Sequence, residues 1–478
     1  MAVKPTVTHD ELYIEGRWTP ATDHIEVTDL AEGGTFASVA AATPSDAEDA
    51  LAAAQAAEVA MRETTVVQRA KWVSAIAEGI QERKEELAEV IVREAGKPIS
   101  SARGEVDAAA ERFRRAAEEA RSLEGEYIEG TTDGHEGWRA IVKHQPVGTV
   151  LCITPYNYPL STTALQVAPA LAAGNAVILK PATKTPVSGA MLAEIIVEAA
   201  PDLPEGAFGF MPGRASEIGD VLAGDDRLDA IAMTGSSGAG KHVASVSGMV
   251  ELHMELGGNA PAVVFPDADL DDAAQAATKG SLKYAGQRCS AISRVLAHED
   301  VHDDIVERVD AEMDDWAAGD LFDEDTMLGP LISESQADWV MELVDDAVEK
   351  GATLVRGGER DGRFVEPTLL ADVPQDARIV HEEQFGPVVA VTTFADEDGA
   401  LDVANGGDLG LDAAVFTANY DRAMRMAEKL EAGGVRINGA PSHGLGDIPF
   451  GGVKDSGIGR EGIGYTIEAF VDRKSIIL

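Results

Sequence analysis

The stretch VGTVLCITPYNYPLSTTALQVAPALAAGNAVIL, residues 147–179, decides the fold. It begins with the apolar run Val147 to Ile153, turns through two prolines, continues as the helix-length segment Ser161 to Ala173 and ends in a second apolar run, Ala176 to Leu179. This order predicts a strand, a helix and a parallel strand. Further apolar runs, again separated by helix-length segments, follow at Phe208 to Met211, Ala230 to Met233 and Val250 to Met254. The alternation predicts an α/β fold with a doubly wound parallel sheet that has helices on both faces.

The regions on either side of this series show different patterns. Residues 44–122 predict long amphipathic helices, because apolar residues recur there at helical spacing among Glu and Arg. A second alternating series runs from Ala262 to Ile437 and predicts a second α/β domain, with a boundary near residues 256–258. The last residues, Lys474 to Leu478, predict a terminal strand that needs a partner.

The charge of the chain excludes several classes of function. Its 478 residues include 83 Asp and Glu against 39 Lys and Arg, which gives a net charge of −44 at pH 7. Such a surface would repel nucleic acids and anionic membranes, so neither is expected as a partner. The acidic residues are spread along the chain, and we interpret them as a solvated exterior adapted to high salt, where screening weakens self-repulsion. The source is therefore expected to be a halophile.

Cysteine content and the N-terminus bear on the compartment. Only Cys152 and Cys289 occur, which excludes a disulfide framework and fits a reducing environment. The N-terminal residues lack the apolar core of a secretory signal, and no run approaches the roughly 18 apolar residues of a membrane span. A cytoplasmic protein is expected.

Cys289 is the first candidate for chemistry. Cys152 lies inside an apolar run and is interpreted as a small buried hydrophobe, whereas Cys289 follows Gly286, Gln287 and Arg288 in a predicted turn. A free thiol has a pKa of about 8.5, and a neighbouring cation lowers it. Arg288 is thus expected to favour the thiolate of Cys289, although an incidental cysteine remains an alternative on this evidence alone.

Three polar residues stand at the carboxyl ends of predicted strands, where ligands bind in doubly wound sheets. Burial would raise the pKa of Glu255 and make it a general base; a turn cap is the alternative. The Asn157 amide could stabilise an oxyanion, and a purely structural turn is the alternative. Lys180 would direct a cation towards a ribose or phosphate.

Two glycine-rich segments resemble nucleotide-binding motifs. Residues 235–242 nearly match the phosphate loop of nucleotide triphosphatases, but His242 replaces the hydroxyl that holds magnesium, which argues against that function. The same turn at the start of a helix remains a good site for a dinucleotide pyrophosphate. The glycines from Gly457 to Gly462 follow a polar stretch near the C-terminus, not a strand that leads into the helix of a βαβ unit, and are interpreted as a chance match.

Seven motifs, in order, make the sequence resemble the NAD(P)-dependent aldehyde dehydrogenases over nearly its whole length. They are Pro155-Tyr156-Asn157-Tyr158-Pro159, Gly174-Asn175 with Leu179-Lys180-Pro181, Thr234-Gly235-Ser236, Glu255-Leu256-Gly257-Gly258, Gly286-Gln287-Arg288-Cys289, Glu382-Glu383-Gln384-Phe385-Gly386-Pro387 and Pro449-Phe450-Gly451-Gly452.

The resemblance implies a role for each matching residue. Cys289 would attack the aldehyde, Asn157 and the Cys289 backbone N–H would hold the oxyanion, and Glu255 would activate water to hydrolyse a thioester. No metal site is implied. The residues implied in binding the cofactor are Thr154, Pro155, Tyr156, Lys180, Thr183, Lys184, Gly213, Thr234, Gly235, Ser236, Leu256, Glu383 and Phe385.

The resemblance also implies three domains and an oligomer. Residues 1–123 and 147–256 would form the dinucleotide-binding domain, and residues 257–449 the catalytic domain. Residues 124–146 and 450–478 would form a small β oligomerisation flap, which implies a homodimer or a homotetramer.

Within the family, the sequence is most similar to the non-phosphorylating glyceraldehyde-3-phosphate dehydrogenases. Tyr158, Arg288 and Ser290 would then contact the substrate, but Ala108 and His443 stand where further phosphate-binding arginines would be expected. Losing two such cations weakens binding of a dianion. Lactaldehyde, glyceraldehyde and succinate semialdehyde stay open as substrates, the coenzyme A-acylating branch is disfavoured by Glu255, and a non-enzymatic relative is a remote alternative.

The residues after Lys180 bear on cofactor choice. NAD-preferring relatives often carry Glu at the position of Thr183, where its carboxylate repels a 2′-phosphate. Thr183 removes that repulsion and Lys184 adds a cation. We therefore expect NADP in preference to NAD.

Overall fold

The computed structural model describes residues 7–442, 444 and 446–478. Residues 7–122 form five strands and four helices: β1 (Val7–His9), β2 (Glu11–Ile14), β3 (Arg17–Pro20), β4 (Asp23–Thr28), β5 (Thr35–Ala41), α1 (Pro44–Glu63), α2 (Val66–Glu82), α3 (Lys84–Ala95) and α4 (Ile99–Ser122). Helix α1 begins where it does because the Thr43 hydroxyl accepts a hydrogen bond from the Asp46 N–H while the Asp46 carboxylate accepts one from the Thr43 N–H, a capping box. The helices match the sequence pattern, whereas the strands before them were not predicted.

The alternating series of the sequence forms the predicted strands and helices. Two strands precede it, β6 (Glu126–Glu129) and β7 (Arg139–Pro146). The series itself is β8 (Thr149–Ile153), α5 (Ser161–Ala173), β9 (Ala176–Lys180), α6 (Val187–Ala199), β10 (Phe208–Phe210), α7 (Ala215–Ala223), β11 (Ala230–Thr234), α8 (Ser237–Val246) and β12 (Glu251–Glu255).

The second series is longer. It contains β13 (Ala260–Val264), α9 (Leu270–Leu282), β14 (Ile292–His298), α10 (His302–Glu312), α11 (Glu334–Glu349), β15 (Thr353–Arg356), β16 (Arg360–Asp361), β17 (Phe364–Val365), β18 (Thr368–Ala371), α12 (Arg378–His381), β19 (Val388–Phe394), α13 (Glu397–Asn405), β20 (Leu409–Gly410), β21 (Asp412–Phe416), α14 (Tyr420–Lys429) and β22 (Gly434–Ile437). The last elements are β23 (Val453–Lys454), β24 (Gly457–Ile458), α15 (Ile463–Ala469) and β25 (Val471–Ile477), and short 3₁₀ turns cover Lys283–Gly286, Glu299–Val301 and Met313–Asp315.

The first large sheet has eight strands in the order β24-β12-β11-β8-β9-β10-β2-β3. The five strands from β12 to β10 are parallel, as the sequence predicts, and antiparallel strands lie at the edges. All five residues of β9 are buried, because helices cover both faces of a parallel sheet. The α/β fold class is confirmed, with the antiparallel edges as an addition.

The second large sheet has seven strands in the order β15-β18-β19-β14-β13-β21-β22, and only β15 is antiparallel to its neighbour. Each of the two sheets has its own hydrophobic core. The chain passes from the first sheet to the second between Glu255 and Ala260, which lies where the sequence predicts a boundary.

A small antiparallel sheet, β25-β7-β6, contains the C-terminal strand. Strand β25 pairs with β7 along seven residues, from Val471 opposite Pro146 to Ile477 opposite Ala140. Tyr127, Ile141 and Ile476 are direct neighbours across the three strands, so they form one row on one face. Each is more than 40% exposed, and we call these three residues the apolar row. The full extents of the three predicted domains remain a prediction.

Two kinds of feature are absent from the described part of the chain. No helix there is long and apolar enough to cross a membrane. No group of three or more His, Cys, Asp or Glu side chains among these residues is arranged to hold a metal ion.

Candidate active site

A cavity of about 980 Å³ opens at the carboxyl edge of the first large sheet. Strand register brings its polar residues together: Ile153, the last residue of β8, pairs with Lys180, and Thr234 at the end of β11 pairs with Glu255. Because these strands are parallel, the loops that follow them lie side by side. The sequence-predicted site residues of this sheet that line the cavity are Thr154, Pro155, Tyr156, Asn157, Tyr158, Lys180, Thr183, Thr234, Gly235, Ser236, Glu255 and Leu256.

The opposite wall of the cavity comes from the second half of the chain. Arg288, Cys289, Ser290, Glu383 and Phe385 line it, although none of them is near the first sheet in sequence. The fold therefore brings every predicted catalytic and substrate residue to one cavity. Two predicted cofactor residues do not line it, Lys184 and Gly213. Lys184 is exposed to solvent, and the Gly213 carbonyl accepts a hydrogen bond from the Thr183 hydroxyl at 3.1 Å.

An unusual turn carries Cys289. Helix α9 ends at Leu282, and then three consecutive residues, Tyr284, Ala285 and Gly286, have left-handed backbone angles with φ of 56°, 50° and 72°. Such angles cost free energy for residues other than glycine and persist only where surrounding contacts impose them. The Tyr284 hydroxyl donates to the Ala95 carbonyl at 2.7 Å, and a Cβ on Gly286 would lie 2.0 Å from the Gly386 carbonyl oxygen. These contacts fix the direction in which the chain enters Arg288 and Cys289.

Asn157 is attached to the same turn. Its side-chain Nδ2 donates a hydrogen bond to the Gln287 carbonyl at 2.9 Å, and the residue is buried. An amide nitrogen carries two hydrogens, so the second one remains to donate into the cavity beside Cys289. This hydrogen bond thus connects the loop after β8 to the turn after α9.

Burial controls the pKa of the Cys289 thiol. Cys289 is partly exposed to the cavity, yet burial is the largest influence on its pKa and raises it, and the carboxyl groups of Asp412, Glu255 and Glu383 raise it further. Arg288 lowers the pKa, but by less than these influences raise it. Arg288 thus favours the thiolate, as the sequence predicts, but its influence on the pKa is outweighed by loss of water and by three nearby carboxyl groups, which the sequence does not show.

Glu255 has the environment of a general base. It is 2% exposed, and neither carboxyl oxygen accepts a well-formed hydrogen bond from the described residues. Burial first, and the nearby Glu461 carboxyl second, raise its pKa well above the usual value. Burial raises the pKa of Glu461 to about 7. Two carboxyl groups that share a dry site resist being ionised together, so each takes up a proton more readily than it would in water.

The part of the cavity beyond Glu255 fits a dinucleotide. Lys180 is buried, its Nζ has only the Pro181 carbonyl at 3.5 Å as a contact in the described structure, and burial lowers its pKa to about 8. An uncompensated buried ammonium is a natural partner for ribose hydroxyls or phosphate. Ser236 caps α8, whose N-terminal N–H groups suit a pyrophosphate.

Glu383 and Phe385 line this part of the cavity. Glu383 accepts a hydrogen bond from the Gly258 N–H at 2.9 Å, and burial raises its pKa to about 7. A Cβ on Gly257 would lie 2.7 Å from the Glu383 carboxylate, so the backbone there approaches the carboxylate as closely as only glycine permits. Phe385 meets the ring of Tyr156 edge to face at 6.0 Å.

The structure argues against the triphosphatase alternative, because Lys241, the lysine of the phosphate-loop-like segment, lies outside the cavity. Lys241 forms an ion pair with Asp455 on the surface, and His242 Nε2 lies 2.7 Å from Asp220. Neither side chain lines the cavity.

Residues 18–476 match the sequence model of the aldehyde dehydrogenase family. The chain belongs to the aldehyde dehydrogenase family. Among curated relatives, it is 38% identical to an NADP-dependent glyceraldehyde-3-phosphate dehydrogenase of Streptococcus equinus over 467 residues, 97% of this chain and 98% of the relative. It is 34% identical to a lactaldehyde dehydrogenase of Methanocaldococcus jannaschii over 469 residues, 98% of this chain and 100% of the relative.

A solved aldehyde dehydrogenase structure agrees over the whole fold. The NADP-dependent glyceraldehyde-3-phosphate dehydrogenase of Bacillus halodurans C-125, complexed with NADP, superposes with a TM-score of 0.96 at 35% identity and covers 98% of this chain and 99% of its own. The family, the fold and the enzyme class predicted from sequence are therefore confirmed.

Sequence reasoning missed several residues of this aldehyde dehydrogenase cavity. Lys97 and Glu105 form a fully buried ion pair, and the Lys97 Nζ lies 3.5 Å from the centre of the Tyr158 ring and 4.4 Å from that of Tyr284. Glu105 also accepts the N–H groups of Leu160 and Ser161 at the start of α5. Lys283 and Glu461 line the cavity as well. The residue pattern gives no signal for their place in the cavity, because the rings over which Lys97 lies and the N–H groups that Glu105 accepts are far away in sequence.

Ala108 lines the cavity, and His443 lies outside the described residues. Arg288 is the one arginine that the sequence predicts as a phosphate contact. It donates to the Ser290 hydroxyl at 3.2 Å and towards the Pro441 carbonyl at 3.5 Å. It has no carboxylate partner among the described residues, which leaves its charge available to a ligand.

Proposed function

We propose that this enzyme oxidises a small anionic aldehyde, with glyceraldehyde 3-phosphate as the best candidate, to its carboxylic acid. The observation that carries the proposal is Arg288, a cation without a carboxylate partner that lines the cavity directly beside the reactive Cys289. A cation in that position stabilises the charged end of a short substrate whose aldehyde carbon reaches the thiol. Curated relatives at similar identity include enzymes for phosphorylated and for uncharged aldehydes, so the choice depends on residues of this chain.

The residues of the cavity support a cysteine mechanism. The Cys289 thiol gives up its proton to solvent as Sγ attacks the aldehyde carbon, and the carbonyl oxygen becomes an oxyanion that the Asn157 amide and the Cys289 N–H stabilise. A bound nicotinamide accepts the hydride from that carbon. Glu255 then takes a proton from the water that attacks the resulting thioester, which releases the carboxylic acid and restores the thiol.

NADP is the proposed oxidant. Thr183 presents no carboxylate to a 2′-phosphate, and Lys180 lines the cavity without an ion-pair partner among the described residues. The exposed Lys184 does not line the cavity but adds a positive charge next to Thr183. A phosphate monoester gains from such cations, whereas a ribose hydroxyl gains much less.

A panel of substrates tests the proposed function. Glyceraldehyde 3-phosphate, glyceraldehyde, lactaldehyde and succinate semialdehyde are each assayed with NADP and with NAD, and kcat/KM is compared at one ionic strength. Glyceraldehyde 3-phosphate with NADP is expected to give the highest value, and Cys289→Ser is expected to abolish the activity. An equal or higher value for lactaldehyde or glyceraldehyde would identify an enzyme for uncharged aldehydes.

A homodimer or homotetramer that uses the small sheet is also part of the proposal. The apolar row of Tyr127, Ile141 and Ile476 is exposed, and apolar surface of this kind is stabilised when a second copy covers it. Ile141→Glu combined with Ile476→Glu is expected to reduce the mass measured by sedimentation, whereas Tyr420→Glu, at another exposed aromatic, is not.

The proposal extends to a reducing, cytoplasmic compartment of a salt-adapted organism. Both cysteines are free, and the net charge is −44. Salt screens self-repulsion, so the unfolding temperature is expected to rise steeply as salt is added to a dialysed sample. An unfolding temperature that is independent of salt would contradict the salt adaptation.

A further inference from the structure

The cations around Cys289 differ in what neutralises them. Lys97 is paired with Glu105, and Arg112 donates to the Ser161 carbonyl and lies near the Glu461 carboxyl. Lys283 and Arg288 form no ion pair with any described residue, although acidic residues outnumber basic ones more than twofold in this chain. Two positive charges in one part of the cavity thus lack an ion-pair partner among the described residues.

The backbone brings Lys283 back towards Arg288. Lys283 directly follows α9, and the left-handed residues 284–286 reverse the chain between it and Arg288. Both side chains line the cavity that contains Cys289. Part of the Lys283 side chain is also exposed to solvent.

The two charges influence each other. Burial of part of the Lys283 side chain lowers its pKa, and the positive charges of Arg288 and Lys279 lower it further. Like charges held close together raise the free energy of the empty site, and the Asp412 carboxyl, which interacts with Arg288, offsets only part of that repulsion. An anionic ligand between Lys283 and Arg288 would relieve this repulsion and gain an interaction with both.

We infer that Lys283 is a specificity-determining residue that binds the anionic end of the aldehyde together with Arg288. It would supply one of the cations that Ala108 does not provide. This inference rests on the proposed function, because it presupposes an anionic substrate.

The test compares Lys283→Met with Lys279→Met. Both variants remove one positive charge from the same segment, but Lys279 is exposed on α9 and does not line the cavity, so it controls for the general change in charge. Wild type and both variants are assayed with glyceraldehyde 3-phosphate and with uncharged glyceraldehyde. Lys283→Met is expected to lower kcat/KM for the phosphorylated aldehyde by about 10- to 100-fold, mainly through KM, and to change the value for glyceraldehyde by less than about twofold. Lys283→Arg is expected to restore most of the loss.

Inhibition by inorganic phosphate gives an independent reading of the same site. The inhibition constant against glyceraldehyde is expected to rise in Lys283→Met and to stay unchanged in Lys279→Met. If the wild type prefers the phosphorylated aldehyde and Lys283→Met keeps that preference, the role of Lys283 is overturned while the proposed function stands. If the wild type shows no preference for the phosphorylated aldehyde, the proposed function itself fails.

Discussion

The side-chain amide of Asn157 donates a hydrogen bond to the backbone carbonyl of Gln287, with 2.9 Å between nitrogen and oxygen. This contact joins the loop after β8 to the turn that carries Cys289. One hydrogen bond therefore helps to set the position of the proposed oxyanion donor relative to the nucleophile. A movement of one segment away from the other would have to stretch or break this hydrogen bond.

Removing this amide is expected to slow the chemical step. Asn157→Ala loses one oxyanion donor, which typically lowers kcat by about 10²- to 10³-fold. Steady-state kinetics measure the effect, and KM is expected to change much less. Asn405→Ala is the matched control and should leave kcat unchanged, because it removes a half-buried amide that lies outside the cavity, donates to the Lys429 carbonyl and accepts from the Glu431 N–H. A decrease of less than about threefold in Asn157→Ala would assign this residue a structural role only.

Glu255→Gln is expected to separate hydride transfer from hydrolysis. The variant keeps the volume of the side chain but cannot accept a proton from water, so the thioester should accumulate. Rapid-mixing measurements of reduced cofactor are expected to show a burst of about one equivalent per active site, followed by turnover slowed about 10²- to 10⁴-fold. A variant that turns over at the wild-type rate after the burst would show that another group activates the water.

The pH dependence of hydrolysis is expected to respond to Glu461. A base must be deprotonated to act, so activity falls as the pH drops through the pKa of Glu255, which burial and Glu461 raise above its usual value. Glu461→Gln removes one raising influence, and the acidic limb of the kcat profile should therefore move to lower pH. Profiles between about pH 5 and 9 test this shift, and a limb that moves to higher pH would refute the coupling.

The buried Lys97–Glu105 pair is expected to matter for stability far more than a surface pair. Lys97→Met leaves Glu105 buried without its cation, which typically costs about 3–5 kcal/mol of unfolding free energy. Lys84→Met breaks the surface pair with Asp107 and should cost less than about 1 kcal/mol. Urea denaturation measures both. The double variant Lys97→Met, Glu105→Gln should recover part of the loss, and equal costs for the two single variants would contradict the prediction.

Thr183→Glu is expected to shift cofactor preference from NADP towards NAD. The new carboxylate would repel a 2′-phosphate and could accept hydrogen bonds from ribose hydroxyls, so the ratio of the two kcat/KM values should change by about tenfold or more. Thr183→Ser keeps the hydroxyl that donates to the Gly213 carbonyl and should leave the ratio unchanged. An unchanged ratio in Thr183→Glu would place the 2′-phosphate elsewhere.

Sequence patterns predicted the parts of the fold that are regular and buried. Strand β9 is buried along its whole length and therefore appears in the sequence as an unbroken apolar run. The short strands β2 and β3 at the edge of the same sheet contain polar and exposed residues, so no run marks them. The strand-end positions of Glu255 and Lys180 followed from the pattern because parallel strands share one carboxyl edge.

Electrostatics could not be predicted in the same way. The sequence shows that Arg288 precedes Cys289, but it does not show that Asp412 approaches the thiol or that the thiol is buried. Likewise, the sequence does not show that the Lys97 ammonium lies over the Tyr158 ring. Neighbours along the chain are a poor guide to a pKa when the stronger influences come from other elements.

The raised pKa of Cys289 affects how readily oxidants react with the enzyme when no substrate is bound. Peroxides and other oxidants attack thiolates, and a sulfur that keeps its proton reacts slowly with them. An enzyme without substrate is therefore expected to survive an oxidative episode that would inactivate a protein with an acidic catalytic cysteine.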